Sequence, residues 1–252
     1  MCSVVILYRP GHAWPLILGA NRDEMANRPW LPPGRHWPDR RHVVAGLDQL
    51  AGGSWLGVND EGVVAGVMNR MNTLGPAPGR RSRGELVLEA LDHADAQTAA
   101  QALAALDPRA YRAFNLVIAD NTGAFWLRNF GHAQGWIDVA PIPAGVSMLT
   151  AHDLNDVAKS ARIRSYLPRF AKAAPPDPEQ DDWKAWAELL AGADHEPGGS
   201  ATDAMAFVTE GGFATVSSSL IALPGVGRRR PPEWRFAGGR PGAYPFEKVA
   251  FG

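Results

Sequence analysis

Hydrophobic residues in this chain come in short runs cut by polar or glycine–proline breaks. Residues 4–8 form an unbroken apolar run rich in β-branched side chains, and residues 14–19 form a second. Arg9-Pro10-Gly11-His12 separates them, so the pair reads as a buried β-hairpin. A turn centred between Gly11 and His12 sets Cys2 opposite Asn21 across the two strands. Residues 29–41, with their prolines and tryptophans, read as a loop. Strands are expected at 42–46, 54–59 and 63–69, with Asp60-Glu61-Gly62 as the tight turn before the last. After a Gly/Pro loop at 74–81, Ser82 and Glu85 have capping-box spacing. They open a helix with Leu86, Val87, Ala90, Leu91 and Ala94 on one side. A second helix, about 96–106, follows Asp95. Strands at 114–119 and 124–129 are joined by Asn121-Thr122-Gly123, and two more follow at 136–140 and 146–150. Helices are predicted at about 156–171 and 181–193, with Pro175-Pro176-Asp177-Pro178 between them. The last third returns to strands at 204–209 and 213–222, around Gly211-Gly212, and near 246–251.

Strands, a helix pair, strands, a helix pair and strands again suit an α/β (α+β) fold. The expected architecture is a four-layer α/β/β/α sandwich of two mostly antiparallel sheets flanked by helix pairs, in a single domain over residues 1–252. With 252 residues, 46% of them hydrophobic, the chain can bury a substantial core. A formal net charge of −1 offers no attraction for nucleic acid or an anionic membrane. No apolar stretch reaches the ~18 residues of a membrane span. One cysteine excludes an intrachain disulfide and, with no signal-peptide layout, fits the cytoplasm. Only four of the 25 basic residues are lysine, which reads as genomic composition rather than phosphate recognition. There is no internal repeat and no Walker or Rossmann glycine signature.

The one cysteine is Cys2, directly after Met1. A small penultimate side chain normally permits removal of the initiator methionine, and the chain would then begin with a thiol and a free α-amine on one residue. The two groups titrate near ~8.5 and ~8, so the amine can serve the thiol as its own base. Threonine-based N-terminal nucleophiles work this way. The alternative is that position 2 merely tolerates small residues. The hairpin register brings this terminus beside Asn21-Arg22-Asp23-Glu24, four hydrogen-bonding side chains ending an apolar strand. That cluster is either a site or a charged cap on the strand.

Several ordered motifs carry a resemblance. They are Met1-Cys2, Ala20-Asn21-Arg22-Asp23-Glu24, Arg28-Pro29, Gly52-Gly53-Ser54-Trp55-Leu56-Gly57, Arg81-Ser82-Arg83-Gly84-Glu85-Leu86-Val87 and Phe114-Asn115-Leu116-Val117-Ile118-Ala119-Asp120. With these the chain resembles the NRDE-motif family, also called the transport-and-Golgi-organisation type 2 family, best over the first 150 residues or so. That family is similar in fold to N-terminal nucleophile hydrolases, particularly the penicillin and bile-salt amidases. The resemblance implies that Cys2 starts a central strand and faces the cleft. It also implies that Asp23 contacts the N-terminal amine, and that Asn69, closing the stretch from Asn59 through Met68, donates to an oxyanion. A preorganised amide donor of that kind contributes about 3 kcal/mol to catalysis. Asn69 read bare is a strand-end turn residue. Arg22 either neutralises a substrate carboxylate or pairs with Glu24.

Two departures stand out against the amidase pattern. His152 stands where a helper amide is expected, after Met148-Leu149-Thr150-Ala151, and Val216 stands where an arginine is expected beside Thr215, Ser217 and Ser218. His152 is then an acid/base near neutral pH, an iron ligand, or a structural histidine. Nine tryptophans, Trp55 among them, either line a flat ligand pocket or pack the core. No Cys/His metal spacing is present. Two functions remain open. One is a cysteine amidohydrolase for a small amide or thioester-like substrate, with Cys2, Asp23 and Asn69 catalytic and Asn21, Arg22, His152 and Trp55 on the substrate; it requires no cofactor. The other is a non-catalytic carrier of haem or a lipid-like acyl ligand, as the link of some family members to haem trafficking implies.

Overall fold

A computed structural model of the chain describes residues 2–131, 135–228 and 230–251. Four helices and thirteen strands are formed within it, and the strands build two antiparallel sheets. The first sheet has the order β10-β1-β2-β11-β12-β13 and the second the order β3-β4-β5-β6-β7-β8-β9. In the first, β1 (Ser3–Tyr8) and β2 (Leu16–Met25) are central, flanked by β10 (Gly145–Leu149) and the long β11 (Phe213–Leu223). Outside β11 run β12 (Glu233–Ala237) and the short β13 (Glu247–Lys248). The second sheet is a sequential meander. It runs through β3 (Trp30–Gly34), β4 (Val43–Asp48), β5 (Leu56–Asn59), β6 (Val64–Asn69), β7 (Phe114–Ala119), β8 (Ala124–Asn129) and β9 (Asp138–Pro141).

Every residue of β1 is buried, because both faces of its sheet are covered. Such a strand reads as a continuous apolar run rather than an alternating one. Val4 and Ile6 face the other sheet with Leu18, Val44, Val58 and Val117. Val5 and Leu7 face the opposite way, onto Ile163, Tyr166, Trp186 and Leu190, which belong to α3 (Ala161–Lys172) and α4 (Lys184–Leu190). The second sheet packs its outer face, including Ala45, Ala65 and Leu116, on α1 (Gly84–Leu91) and α2 (Ala96–Ala104). Helices, sheet, sheet and helices therefore stack as the four expected layers, with an apolar cluster at each interface.

Several local expectations are corrected. The β1–β2 register pairs Ser3, not Cys2, with Asn21. The segment expected to be a loop at 29–41 contains edge strand β3, whose prolines are tolerated because an edge strand need not donate on its open side. The capping box at Ser82 is not formed: α1 has Arg83 as its N-cap with no side-chain bond, and Glu85 instead accepts from Arg81 Nε at 2.8 Å. Asp95 does cap α2, accepting from Thr98 N at 2.7 Å. Residues 204–209 make only an isolated bridge, Val208 to Ala214, and β12 is an additional strand. Helix α3 begins at Ala161, where Ser160 accepts from Ile163 N, rather than near residue 156.

Two close approaches shape the cavity described next. A Cβ on Gly53 would lie 2.5 Å from the Gly84 carbonyl carbon, so the loop before β5 and the first turn of α1 touch backbone to backbone, joined by a 3.1 Å bond from Ser54 N to Gly84 O. A Cβ on Gly46 would lie 2.2 Å from Trp55 Cη2, so the bare backbone of β4 is what seats the Trp55 ring.

Candidate functional site

A cavity of about 650 Å³ opens between the ends of the two sheets, bounded by Cys2, Arg22, Trp55, Asn69 and the segment 80–84 among others. Cys2 enters it from the start of β1. Its Sγ donates to the main-chain oxygen of Asp23 at 3.8 Å. Burial pushes the thiol pKa up, the nearby Asp23 charge pushes it further, and Arg22 pulls it back. The protonated thiol is therefore the favoured form. Met1, whose removal would leave Cys2 with a free α-amine, lies outside the described residues.

β2 alternates its side chains between two environments. Arg22 shares the inward face with Leu18 and Ala20, and Asn21 and Asp23 point toward the helices. The Asp23 carboxylate is buried and accepts from Arg162 Nη1 at 2.9 Å and from Thr215 Oγ1 at 2.8 Å. Arg162, on α3, also donates to Ser3 Oγ at 2.7 Å and to the Thr202 carbonyl at 2.6 Å. A guanidinium thus reaches Ser3 and Asp23, beside Cys2, from α3, while Val216 of β11 stands at an irregularity between Thr215 and Ser217. Sequence reasoning missed Arg162 because nothing local to α3 signals a partner 139 positions away.

Asn21 is consumed by the fold. Its Nδ2 donates to Leu190 O at 2.9 Å and Met205 O at 2.8 Å, and its Oδ1 accepts from Ser218 Oγ at 2.7 Å. Asn21 thereby clamps α4 and the 205 segment to the sheet.

Arg22 has the opposite character. Its guanidinium lies 4.1 Å from the Trp55 ring centroid and 5.9 Å from that of Trp30. Nη2 is 3.5 Å from Asp48 Oδ2, while Nη1 is buried with no hydrogen-bond partner. Its ion-pair partner is therefore Asp48, and Glu24 lies instead 3.7 Å from Arg28. Asp48 also accepts from Arg28 Nε at 2.7 Å. An orphaned buried N–H at a cavity wall is costly unless a ligand satisfies it.

Asn69, the last residue of β6, and Trp55 line the same cavity as Cys2. His152 does not: it borders a separate hollow of about 270 Å³ with Arg70, Asp153 and Asp156. The expectation that His152 stands in the Cys2 cleft is corrected by this separation. The β10 end and following loop turn it away while Asn115 Nδ2 fixes the His152 carbonyl at 2.7 Å. Burial also lowers its imidazole pKa.

Two layered antiparallel sheets between helix pairs, with a cysteine at the head of a central strand facing the cleft, define the class: an N-terminal-nucleophile-hydrolase-like fold. The chain is similar over 92% of its length to an N-acylethanolamine-hydrolyzing acid amidase ortholog of Caenorhabditis elegans, of which it covers 98%, with TM-score 0.57 and 13% identity. It is similar to penicillin V acylase from Agrobacterium tumefaciens (TM-score 0.53, 12% identity, 93% of this chain and 82% of that one). A mutant conjugated bile acid hydrolase from Clostridium perfringens gives TM-score 0.51 at 11% identity, over 94% and 89% of the two chains. Within that class the chain belongs to the Transport and Golgi organisation 2 family, whose model matches residues 1–223. The Transport and Golgi organization 2 homolog of Mus musculus is 32% identical over 127 residues, 48% of this chain and 45% of the relative. The Homo sapiens homolog is 31% identical over 127 residues, with the same coverage. The matched stretch thus spans about half the length of these curated relatives. No described helix is long and apolar enough to cross a membrane.

Proposed function

We propose that this protein is an N-terminal cysteine amidohydrolase acting on a small amide whose acyl part is apolar. The observation behind this reading is one cavity bounded by Cys2, Arg22 and Asn69, with Arg22 Nη1 buried and lacking a hydrogen-bond partner. Its mouth carries exposed apolar side chains, Met25, Leu50 and Leu74, and the fold neighbours include acylases.

The chemistry follows from the groups present. After loss of Met1, the Cys2 α-amine takes the thiol proton as Sγ bonds to the amide carbon. The oxyanion forms against Asn69 and Arg22 Nη1. Collapse breaks the C–N bond, and the proton held by the α-amine goes to the departing amine. Water then attacks the thioester, giving its proton to the α-amine, and the acid leaves as the thiol re-forms. Asp23, held by Arg162 and Thr215, orients the amine and favours its charged form. A lone thiol suits a reducing compartment such as the cytoplasm.

The test is hydrolysis of N-dodecanoylethanolamine by the native chain, with intact-mass analysis of its N-terminus. Turnover is expected from the species lacking Met1, and Cys2→Ala is expected to abolish it with the fold intact. Unimpaired turnover in Cys2→Ala would end the nucleophile assignment. The haem-carrier alternative is not favoured by the site: Cys2 and His152, its two candidate ligands, border separate hollows. No group of three or more His, Cys, Asp or Glu among the described residues is arranged to hold a metal ion.

A further inference from the structure

The charges around the Cys2 cavity do not balance. Among the described residues, Arg22 and Arg28 share Asp48, with Glu24 beside Arg28, and Arg81 bridges Glu85 and Glu89. Arg83 and Arg112 line the same cavity wall beside Arg80, and among the described residues neither forms an ion pair with a carboxylate; their partners are neutral oxygens. Arg83 Nη1 donates at 3.0 Å to Thr73 Oγ1 and at 3.0 Å to Ala113 O. Arg112 Nη1 donates to Leu74 O at 2.5 Å, Gly75 O at 3.1 Å and Pro76 O at 3.2 Å. These neutral acceptors orient the two guanidiniums without cancelling their charge. The two cations repel each other: burial, and next the Arg112 charge, bring the Arg83 pKa down to about 10. The first turn of α1 begins at this wall and adds the positive end of its dipole.

We propose that the cavity wall formed by Arg83 and Arg112 binds an anionic group, a carboxylate or a phosphate, carried by the ligand whose amide reaches Cys2. The ligand class is then an amphipathic acid, apolar where it meets Met25, Leu50 and Leu74 and negatively charged where it meets the two arginines. A charge-assisted pair with fork geometry suits either oxyanion. This deepens the amidase reading and rests on it for the position of the amide, but not for the anion site itself.

The test is calorimetric binding to the full-length Cys2→Ala protein, in which turnover plays no part. The probes are N-dodecanoylglycine, neutral N-dodecanoylethanolamine and the O-phosphate of the latter. At least one anionic probe is expected to bind about tenfold or more tightly than the neutral one, the margin shrinking with salt. R83Q and R112Q are each expected to erase most of that margin and leave the neutral probe unchanged, while R83K retains part of it. The stronger of the two anionic probes identifies carboxylate or phosphate as the recognised group. Should R83Q fail to fold by circular dichroism, R112Q and R83K decide the matter. Equal affinity for all three probes, no binding of any, or a margin that survives R112Q overturns the proposal. Retained charge discrimination with no hydrolysis by the native chain would sink only the amidase reading.

Discussion

Arg22 and Asp23 are neighbours in sequence and opposites in circumstance. Strand alternation sends Asp23 into a buried network with Arg162 and Thr215, and sends Arg22 to the cavity beside Cys2. Two predictions belong to this scale. The Cys2 thiol pKa is raised by burial and by Asp23 and lowered by Arg22. Alkylation by iodoacetamide, which requires thiolate, is therefore expected to rise only above the ordinary cysteine range. Arg22→Gln removes a lowering influence, so its alkylation profile is expected to move to higher pH; a profile unchanged or moved lower would contradict the coupling. Arg162→Met removes the buried guanidinium that bonds the Asp23 carboxylate, and is expected to cost about 3–5 kcal/mol of stability in urea unfolding. Adding Asp23→Asn should recover part of that loss, since it removes the buried carboxylate charge that Arg162 paired.

At the scale of elements, glycines decide how closely segments approach. Gly46 leaves β4 bare so that Trp55 can lie on it, and Trp55 in turn carries the Arg22 guanidinium. Gly46→Ala would set a methyl at 2.2 Å from the indole, and rings do not compress. It is expected to destabilise the chain by about 1–3 kcal/mol and to shift the Cys2 alkylation profile in the same direction as Arg22→Gln. Gly211→Ala, where a Cβ meets nothing within 4 Å, is the neutral control. The runs Gly52-Gly53-Ser54-Trp55 and Arg83-Gly84-Glu85 are legible as motifs in the sequence. Their shared purpose, a backbone crossing at Gly53 and Gly84, is not, because neither run identifies the other as its partner.

Across the whole molecule, the cavity exists only because both sheets contribute to it: β2 and β11 from one, β4, β6 and the loop before β5 from the other, with the approach to α1 closing a side. A series of N-acylethanolamines of increasing chain length tests its apolar mouth. Each added methylene that is fully buried is worth about 0.8 kcal/mol, or roughly fourfold. A rise in kcat/KM of up to that factor per carbon is expected until the mouth is filled, followed by a plateau. A flat series would show that the acyl chain does not lie against Met25, Leu50 and Leu74.

The layer order was readable from the sequence alone, because apolar runs, helix pairs and turn residues are local signals. Buried strands such as β1 show themselves by continuous hydrophobicity, and Asp95 marks the start of α2 through a bond three residues long. Cys2, Asp23, Trp55 and Asn69 were legible as candidates through motifs. What only the tertiary structure decided was the use of each polar group. Asn21 and Arg22 stand side by side in one motif, yet the first is spent on Leu190, Met205 and Ser218 and the second keeps one buried N–H without a partner beside the Cys2 cavity. His152 went to another hollow, and Arg162 arrived beside Asp23 from a helix 139 positions on. Hydrophobic periodicity depends on what lies within a few residues. Hydrogen bonds and ion pairs depend on what the folded chain brings within about 3 Å, and no local pattern records that.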